Sequence, residues 1–261
     1  MAKVGKAHEP QRPSWRRSPS LVQGPAARFL FELLLILPAY FSYHLVRGAV
    51  SGRAEAAFSN ADRIIDLERS LGIFWEVQLQ GLILGHQPLI DFFNGVYIWG
   101  HIPVVGALAI WIFAFRRDAF ARYRNAFLIS GAIGLVVFVT VPVAPPRFIF
   151  EAGFVDTVTQ HSEAYRVLQP PAFVNQYAAM PSLHFGWNLL VGVALFETTR
   201  PWQMRAFGLI MPLFALAGIV LTGNHYILDA VAGGAVAMAS LWFAGLVHRR
   251  LSGLSVPAFL I

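Results

Sequence analysis

The stretch Thr222–Asp229, with the sequence TGNHYILD, holds the residue types in this chain best suited to chemistry. If these residues open the helix predicted after them, His225 and Asp229 lie four positions apart on one helical face. A carboxylate placed there can hold one imidazole nitrogen, which leaves the other nitrogen free to attack or to take a proton. An unpaired Asp229 near hydrocarbon would cost about 2.5–3.5 kcal/mol, which favours this pairing. A purely structural His–Asp hydrogen bond is the alternative interpretation.

Two stretches further upstream carry groups that suit a phosphate. Arg147 follows two prolines that give it a stiff backbone mount, and its planar guanidinium can bind two phosphate oxygens. Ser182 lies in the opening turn of a helix predicted to start at Pro181, where free backbone amides and a hydroxyl suit an anion. His184 follows and could donate a proton to a leaving oxygen. Taken singly, Arg147 could instead anchor a lipid headgroup and His184 could be a hydrogen-bonded interfacial histidine.

The composition is that of a polytopic membrane protein. Of the 261 residues, 56% are hydrophobic and 13% are charged, and the mean hydropathy is +0.56; an ordinary globular domain has roughly 45–50% apolar and 25% charged residues. Without cysteine, disulfides, thiolate catalysis, iron–sulfur clusters and Cys-ligated zinc are excluded. The net charge of +6 comes from short basic clusters between apolar runs, which indicates membrane topology and anionic lipid headgroups rather than nucleic acid.

The apolar runs predict an all-α bundle of six transmembrane helices. A disordered basic cytoplasmic tail is expected over 1–28, the membrane domain over 29–250 and a C-terminal tail over 251–261. A helix over about 53–74 is too charged to span, since Ile64, Ile65 and Leu67 alternate with charged residues such as Asp66 and Glu68; we predict an interfacial amphipathic helix. The expected spans are 29–46, 89–115, 126–143, 181–196, 206–221 and 227–247.

Positive charge orients these spans. The tail, the loops at 116–124 and 200–205, and the C-terminal pair Arg249 and Arg250 carry 14 of the 20 basic residues. Both termini are therefore predicted to be cytoplasmic, in a plasma or inner membrane, with the 48–88 and 144–181 loops outside. This topology gathers the polar residues of interest at one extracytoplasmic boundary, as a binding site would: Arg147, Ser182, His184, His225 and Asp229.

Three motifs in order resemble those of the type 2 phosphatidic acid phosphatase (PAP2) superfamily. They are Ala144-Pro145-Pro146-Arg147, Pro181-Ser182-Leu183-His184 and Asn224-His225-Tyr226-Ile227-Leu228-Asp229. The Ala-Pro-Pro-Arg and Asn-His-Tyr forms are most similar to the Aur1/Ipt1-like inositolphosphotransferase branch, which includes inositol phosphorylceramide synthases. The resemblance covers roughly residues 55–248, including the amphipathic segment.

The resemblance implies a six-helix membrane enzyme that works through a phospho-histidine. His225 would be the nucleophile, Asp229 would orient it, and His184 would protonate the leaving group. The substrate would be a lipid phosphate or phospholipid, and the acceptor would be water or a polyol such as inositol. No metal or other cofactor is expected, because arginine and a helix terminus can neutralise the phosphoryl oxygens. Those oxygens would be bound by Arg147, Ser182 and Asn224.

Two positions depart from the superfamily pattern. Thr140 stands seven residues before Arg147, where the phosphatases have lysine, and Ile219 stands six residues before His225, where they have arginine. The loss of both cations fits the Aur1-like branch better than a simple lipid phosphatase, although phosphatase and transferase both remain open. Compensating polar groups could come from Asn188, Tyr226 or His101; for His101 a core histidine is the alternative.

The same residues allow three other classes of membrane protein. A transporter could relay protons through His101, His184, His225 and Asp229, but it would need polar residues throughout the membrane depth and, typically, repeated halves. A two-His, one-Asp zinc hydrolase would have a cation repelled by the nearby arginine, and no His-Glu-x-x-His occurs. An intramembrane serine protease would have glycines around its serine, whereas Ser182 lies between proline and leucine.

Overall fold

A computed structural model describes residues 25–48, 52–161 and 176–252. The predicted tails therefore lie almost wholly outside the described residues. Within these ranges the chain forms ten α-helices, two short 3-10 turns and no strand. The helices are α1 Pro25–Gly48, α2 Ala54–Leu71, α3 Glu76–Gly81, α4 Gln87–Trp99, α5 Ile102–Phe115, α6 Arg117–Thr140, α7 Thr157–His161, α8 Leu183–Thr198, α9 Trp202–Leu221 and α10 Ile227–Ser252.

Three of the described helices, α6, α9 and α10, are long and apolar enough to cross a membrane. The pair α4 and α5 makes a fourth candidate, bent by 44°, so the continuous span predicted over 89–115 is broken near Gly100 and His101. Helix α8 has 16 residues, shorter than the roughly 20 that a bilayer core requires. The spans assigned to α1 and α8, and with them the count of six, stay predictions; α1 begins at Pro25, before the expected Phe29.

Helix α8 lies at the centre of the bundle, with extensive contacts to α9 and α10, and α10 packs also on α6. Buried apolar side chains fill the space between them, including Leu190, Val191 and Leu241. Glycine lets α10 come close to the start of α8, because a Cβ at Gly233 would lie 2.1 Å from the carbonyl oxygen of Ser182. Close packing of these two helices brings the second and third motifs together.

We define the basic end of the bundle as the start of α6, the end of α8 and the end of α10. There Arg122 forms a 2.9 Å ion pair with Glu197, and Arg116 Nε donates to the carbonyl oxygen of Thr198 at 2.6 Å. Glu32, the acidic residue inside the first predicted span, pairs with Arg124 of α6 at 2.5 Å. That pairing explains how α1 carries a carboxyl group in an apolar run.

Helix α2 presents to the protein a different face from the one the sequence suggests. Its buried positions include Ala61, Ile64, Ile65 and Glu68, whereas Leu67 is 49% exposed. The buried face is tied to the loop after α6, since Ala144 N donates to the carbonyl oxygen of Ala57 at 3.0 Å. Contact of the outer face of α2 with a membrane stays a prediction.

Candidate active site

The three motifs meet at the end of the bundle opposite the basic end, which we call the site end. It comprises the 143–147 segment, the start of α8, and the 222–229 stretch. An isolated parallel β-bridge joins Val143 to Ala178: Val143 N donates to Tyr177 O at 2.9 Å and Ala179 N donates to Val143 O at 3.2 Å. This bridge aligns the arginine motif beside the serine motif.

Arg147 is buried and held by its backbone and its side chain. Its amide donates to the carbonyl oxygen of Gly223 at 2.7 Å, and Gly223 has a φ of +67° that favours glycine. The Nη1 atom donates to Asn224 Oδ1, while Nε lies 4.0 Å from Asp156 Oδ1. Asn224 also donates from Nδ2 to the Thr222 hydroxyl at 2.6 Å. Arginine and asparagine, both predicted to bind phosphate, thus form one connected unit.

His225 is fixed by contacts to backbone and side chain. Its Nδ1 atom lies 2.8 Å from the carbonyl oxygen of Ala179 and 3.4 Å from Asp229 Oδ2. Because a carbonyl oxygen can only accept, Nδ1 carries the proton and Nε2 carries the lone pair. The expected His225–Asp229 pair is present, but Ala179 makes the shorter contact. Asp229 Oδ2 also accepts from the Tyr226 amide at 2.9 Å.

His184 lies beside His225, with ring centroids 5.6 Å apart. Its ring stacks on Tyr97 at 4.6 Å and on His101 at 4.2 Å, and Trp187 stacks on His101 at 5.4 Å. His101 is buried, and its Nδ1 atom has no hydrogen-bond partner among the described residues. His101 therefore belongs to the wall of the site, and not to a remote apolar core.

Ser182 caps α8. The helix starts at Leu183, so Ser182 is the N-cap residue and not part of the first turn as predicted. Its Oγ atom accepts from the amide of Phe185 at 3.3 Å, a usual role for an N-cap serine. Its own amide donates to the carbonyl oxygen of Asp229 at 2.9 Å, which links the starts of α8 and α10.

Thr140 and Ile219, which stand where the superfamily has lysine and arginine, lie in different surroundings. Thr140 is exposed and bonds to Val136 O of its own helix at 2.8 Å. The Ile219 side chain is buried among apolar residues, and its carbonyl oxygen accepts from the amides of Asn224 at 2.9 Å and His225 at 3.1 Å. Position 219 thus supports the turn at Asn224 and His225 through its backbone and supplies no charge.

The suggested substitutes for these cations have other partners. Tyr226 is fully buried and donates from its hydroxyl to the carbonyl oxygen of Ala144 at 3.3 Å; burial, followed by the charge of Asp229, raises its pKa. Asn188 donates from Nδ2 to the carbonyl oxygen of His184 at 2.7 Å. Tyr226 is therefore a packing residue, and Asn188 is tied by Nδ2 to its own helix.

Sequence reasoning missed a second layer of buried polar residues. Glu68, Glu76 and Gln80 are 0% exposed. Gln80 bonds through its side chain to both the amide and the carbonyl oxygen of Val155, each at 2.9 Å. Glu68 follows Ile64 and Ile65 at helical spacing, so its place on the buried face of α2 could have been found from the pattern. Burial, and then the neighbouring Glu76 carboxyl group, raises the pKa of Glu68 to about 9.

The charged and polar groups of the site do not resemble a metal centre or a relay. Within the described ranges, no group of three or more His, Asp or Glu side chains is placed to hold a metal ion. The residues proposed for a proton relay gather at the site end, so the arrangement does not favour the transporter alternative.

Comparisons with known proteins agree with the motifs. The phosphoinositol dihydroceramide synthase of Bacteroides thetaiotaomicron is 26% identical over 178 residues, which cover 60% of this chain and 56% of that protein. The chain therefore spans little more than half the length of this curated relative. No solved structure matches. The sequence profile of the PAP2 superfamily matches residues 62–243, a range that holds all three motifs, and the chain belongs to the PAP2 superfamily.

Proposed function

We propose that this protein is an integral membrane phosphotransferase that moves a phosphate-bearing group of a lipid through a phospho-His225 intermediate. Family membership supports phosphoryl chemistry on a lipid phosphate. The relative named as a phosphoinositol dihydroceramide synthase supports an alcohol acceptor and an inositol-bearing substrate. Absence of the two phosphatase cations at Thr140 and Ile219 supports transfer over simple hydrolysis.

The observation that carries this proposal is the way the His225 ring is held. Two acceptors, Ala179 O at 2.8 Å and Asp229 Oδ2 at 3.4 Å, face Nδ1. This fixes the tautomer and the ring orientation, and it stabilises the positive charge that develops on the ring as Nε2 attacks. A second histidine, His184, lies beside this ring with ring centroids 5.6 Å apart, a neighbour that a purely structural histidine would not require.

In the first step, His225 Nε2 attacks the phosphorus and the bond from phosphorus to the leaving oxygen breaks. His184 donates a proton to that oxygen, so the leaving group departs as an alcohol. In the second step an acceptor hydroxyl attacks the phosphorus, the phosphorus–nitrogen bond breaks, and His184 takes the proton of the acceptor. The acceptor is a polyol such as inositol or a lipid alcohol; water in the same place gives hydrolysis.

Two groups hold the phosphoryl oxygens during both steps, and a third keeps one of them in place. Arg147 supplies a charged fork, which Asn224 keeps in place. The start of α8 at Ser182 supplies the positive end of a helix dipole. These groups compensate the charge on the equatorial oxygens, which is the main requirement of phosphoryl transfer. We therefore propose that no metal is required, and that the site faces the extracytoplasmic side.

The test uses the purified full-length protein in detergent or vesicles. A panel of lipid phosphates and phosphatidylinositol is offered with and without inositol and a ceramide, and both phosphate release and lipid products are analysed. Transfer to an alcohol, retained with a chelator present and accompanied by an acid-labile phosphate on the protein, is the expected result.

Two results would overturn parts of the proposal. Free phosphate as the sole product, whatever acceptor is added, would identify a phosphatase. Loss of turnover on chelation, restored by a divalent cation, would contradict the metal-free mechanism.

A further inference from the structure

The start of α10, the helix that carries Asp229, is capped by three carboxyl groups. Three consecutive backbone amides at the start of α10 each donate to a carboxyl oxygen from a different residue. Tyr226 N donates to Asp229 Oδ2 at 2.9 Å, Ile227 N donates to Glu76 Oε1 at 2.8 Å, and Leu228 N donates to Glu68 Oε1 at 2.8 Å. Two of the three caps therefore come from α2 and α3, some 150 residues away along the chain.

Ionising both Glu68 and Glu76 would place two negative charges side by side in the protein interior. They are fully buried and accept from adjacent amides of α10, so their carboxyl groups lie close together. Among the described residues, Glu68 Oε2 and Glu76 Oε2 have no hydrogen-bond partner. Two carboxylates only accept, so these oxygens can bond to each other only if one of the two groups is protonated. A proton on one of them would leave a single negative charge at the positive end of α10.

We propose that Glu68 and Glu76 form a proton-sharing clamp that positions α10, and through it Asp229 and His225, for phosphoryl transfer. The two residues are positioning residues, since they contact the backbone beside the site and not the reacting atoms. The inference rests on the proposed function for its catalytic meaning. Its structural content, two buried carboxyl groups that cap adjacent amides of α10, stands on the hydrogen bonds alone.

Ionisation of the clamp would put negative charges together at one place. The titratable groups near Glu68 are Glu76 on α3, Asp229 in the first turn of α10, and Tyr226 just before α10. Asp62, on α2, lies near Tyr226. The pKa of Glu68 is raised from 4.5 to about 9 by burial and then by Glu76. The stabilisation from its neutral form is complete below about pH 4.5 and is lost as the pH rises towards about 9.

Amide substitution separates the proton from the geometry. In Glu68→Gln the side-chain oxygen can still accept from Leu228, and the NH₂ group can donate to Glu76 as the carboxyl proton does. We expect kcat at pH 7 within threefold of wild type. The thermal unfolding midpoint should also lose its decline between pH 5 and pH 9. Glu76→Gln leaves the pair with the same number of charges and donors as Glu68→Gln does, so the two variants should behave alike.

Removing the clamp has a different expected outcome. Glu68→Leu leaves the Leu228 amide without its acceptor, so we expect kcat to fall at least tenfold with KM within twofold. Hydrogen exchange at Leu228 should speed up at least tenfold, with exchange in α6 unchanged. Exposed Glu55, changed to Leu on the same helix, is the matched control.

Three results would overturn the clamp. They are a Glu68→Leu protein with wild-type kcat and wild-type exchange at Leu228, a Glu68→Gln protein that keeps the wild-type pH slope, and a Glu68→Gln protein as inactive as Glu68→Leu. Exchange and unfolding need no turnover, so they test the clamp even if the wild type fails to transfer phosphate. If Glu68→Leu does not fold, the two glutamine variants decide the matter.

Discussion

The two ends of the helical bundle differ in how deeply their ionisable side chains are buried. At the site end Glu68, Glu76 and Asp229 are 0% exposed and Arg147 is 5% exposed. At the basic end the Arg122 and Glu197 side chains, which pair at 2.9 Å, are 33% and 41% exposed. The first set is bound largely by backbone amides and amide side chains, and the second by a direct ion pair open to solvent.

This difference indicates where the chain depends on its charges. Burying an ion costs several kcal/mol unless hydrogen bonds compensate it, so each buried charge at the site end needs its own donors or acceptors in fixed positions. An exposed ion pair contributes about 0–1 kcal/mol and tolerates movement. The buried Glu32–Arg124 pair shows that the basic end can also hold ions in its interior, where it joins α1 to α6. Fixed geometry is therefore expected at the site end and at this one buried pair, and equal substitutions at the site end and at the exposed Arg122–Glu197 pair should have unequal effects.

The largest expected difference comes from histidine. His225→Ala removes the proposed nucleophile, and we expect turnover of the lipid substrate to fall by at least about 1,000-fold. His248→Ala, at the basic end, should stay within twofold of wild type. Lipid product analysis measures both. Wild-type turnover by a folded His225→Ala protein would remove His225 from the mechanism.

Arginine gives the next comparison. Arg147→Lys keeps the charge but loses the planar fork that reaches Asn224 and the phosphoryl oxygens, so we expect kcat/KM to fall about 100-fold. Arg122→Lys can still pair with Glu197 and should change kcat/KM less than twofold. Equal losses in the two variants would show that overall charge, and not the fork at the site, matters.

Asp229 should matter less than its place beside His225, the proposed nucleophile, suggests. Because Ala179 O makes the shorter contact with Nδ1, Asp229→Asn leaves the tautomer in place and removes mainly charge stabilisation. We expect a loss in kcat of about tenfold. A loss as large as that of His225→Ala would show that the carboxylate, and not the carbonyl, controls the ring.

The residues that form the site could be predicted from the sequence, because three local motifs carry them. The spacing of four positions predicted the His225–Asp229 pair, although His225 precedes α10, which begins at Ile227. The order of apolar runs placed Arg147 and His184 at the same end. Span lengths were less predictable: the bend between α4 and α5 and the short α8 depend on packing against neighbours. Boundaries moved by a few residues, as at Ser182.

The features that were not predicted come from backbone groups and long-range partners. The Ala179 carbonyl that holds His225 belongs to no side chain, so no residue type signals it. Helical spacing places Glu68 on the same face as Ile64 and Ile65, but its partner Leu228 lies 160 residues later. No local pattern signals that partner, which only the packing of α2 against the start of α10 supplies.

The smallest expected effect tests the basic end directly. Glu197 accepts from Arg122 at 2.9 Å and from the Tyr123 hydroxyl at 2.7 Å. Glu197→Gln keeps an oxygen for the tyrosine and loses only a half-exposed ion pair, so we expect the free energy of unfolding to fall by no more than about 1 kcal/mol. Turnover should stay within twofold, and the stability difference should shrink at high salt because exposed charges are screened. Detergent-based unfolding at low and high salt measures this; a loss of several kcal/mol, or a tenfold loss of turnover, would mean that the basic end is as rigidly built as the site end.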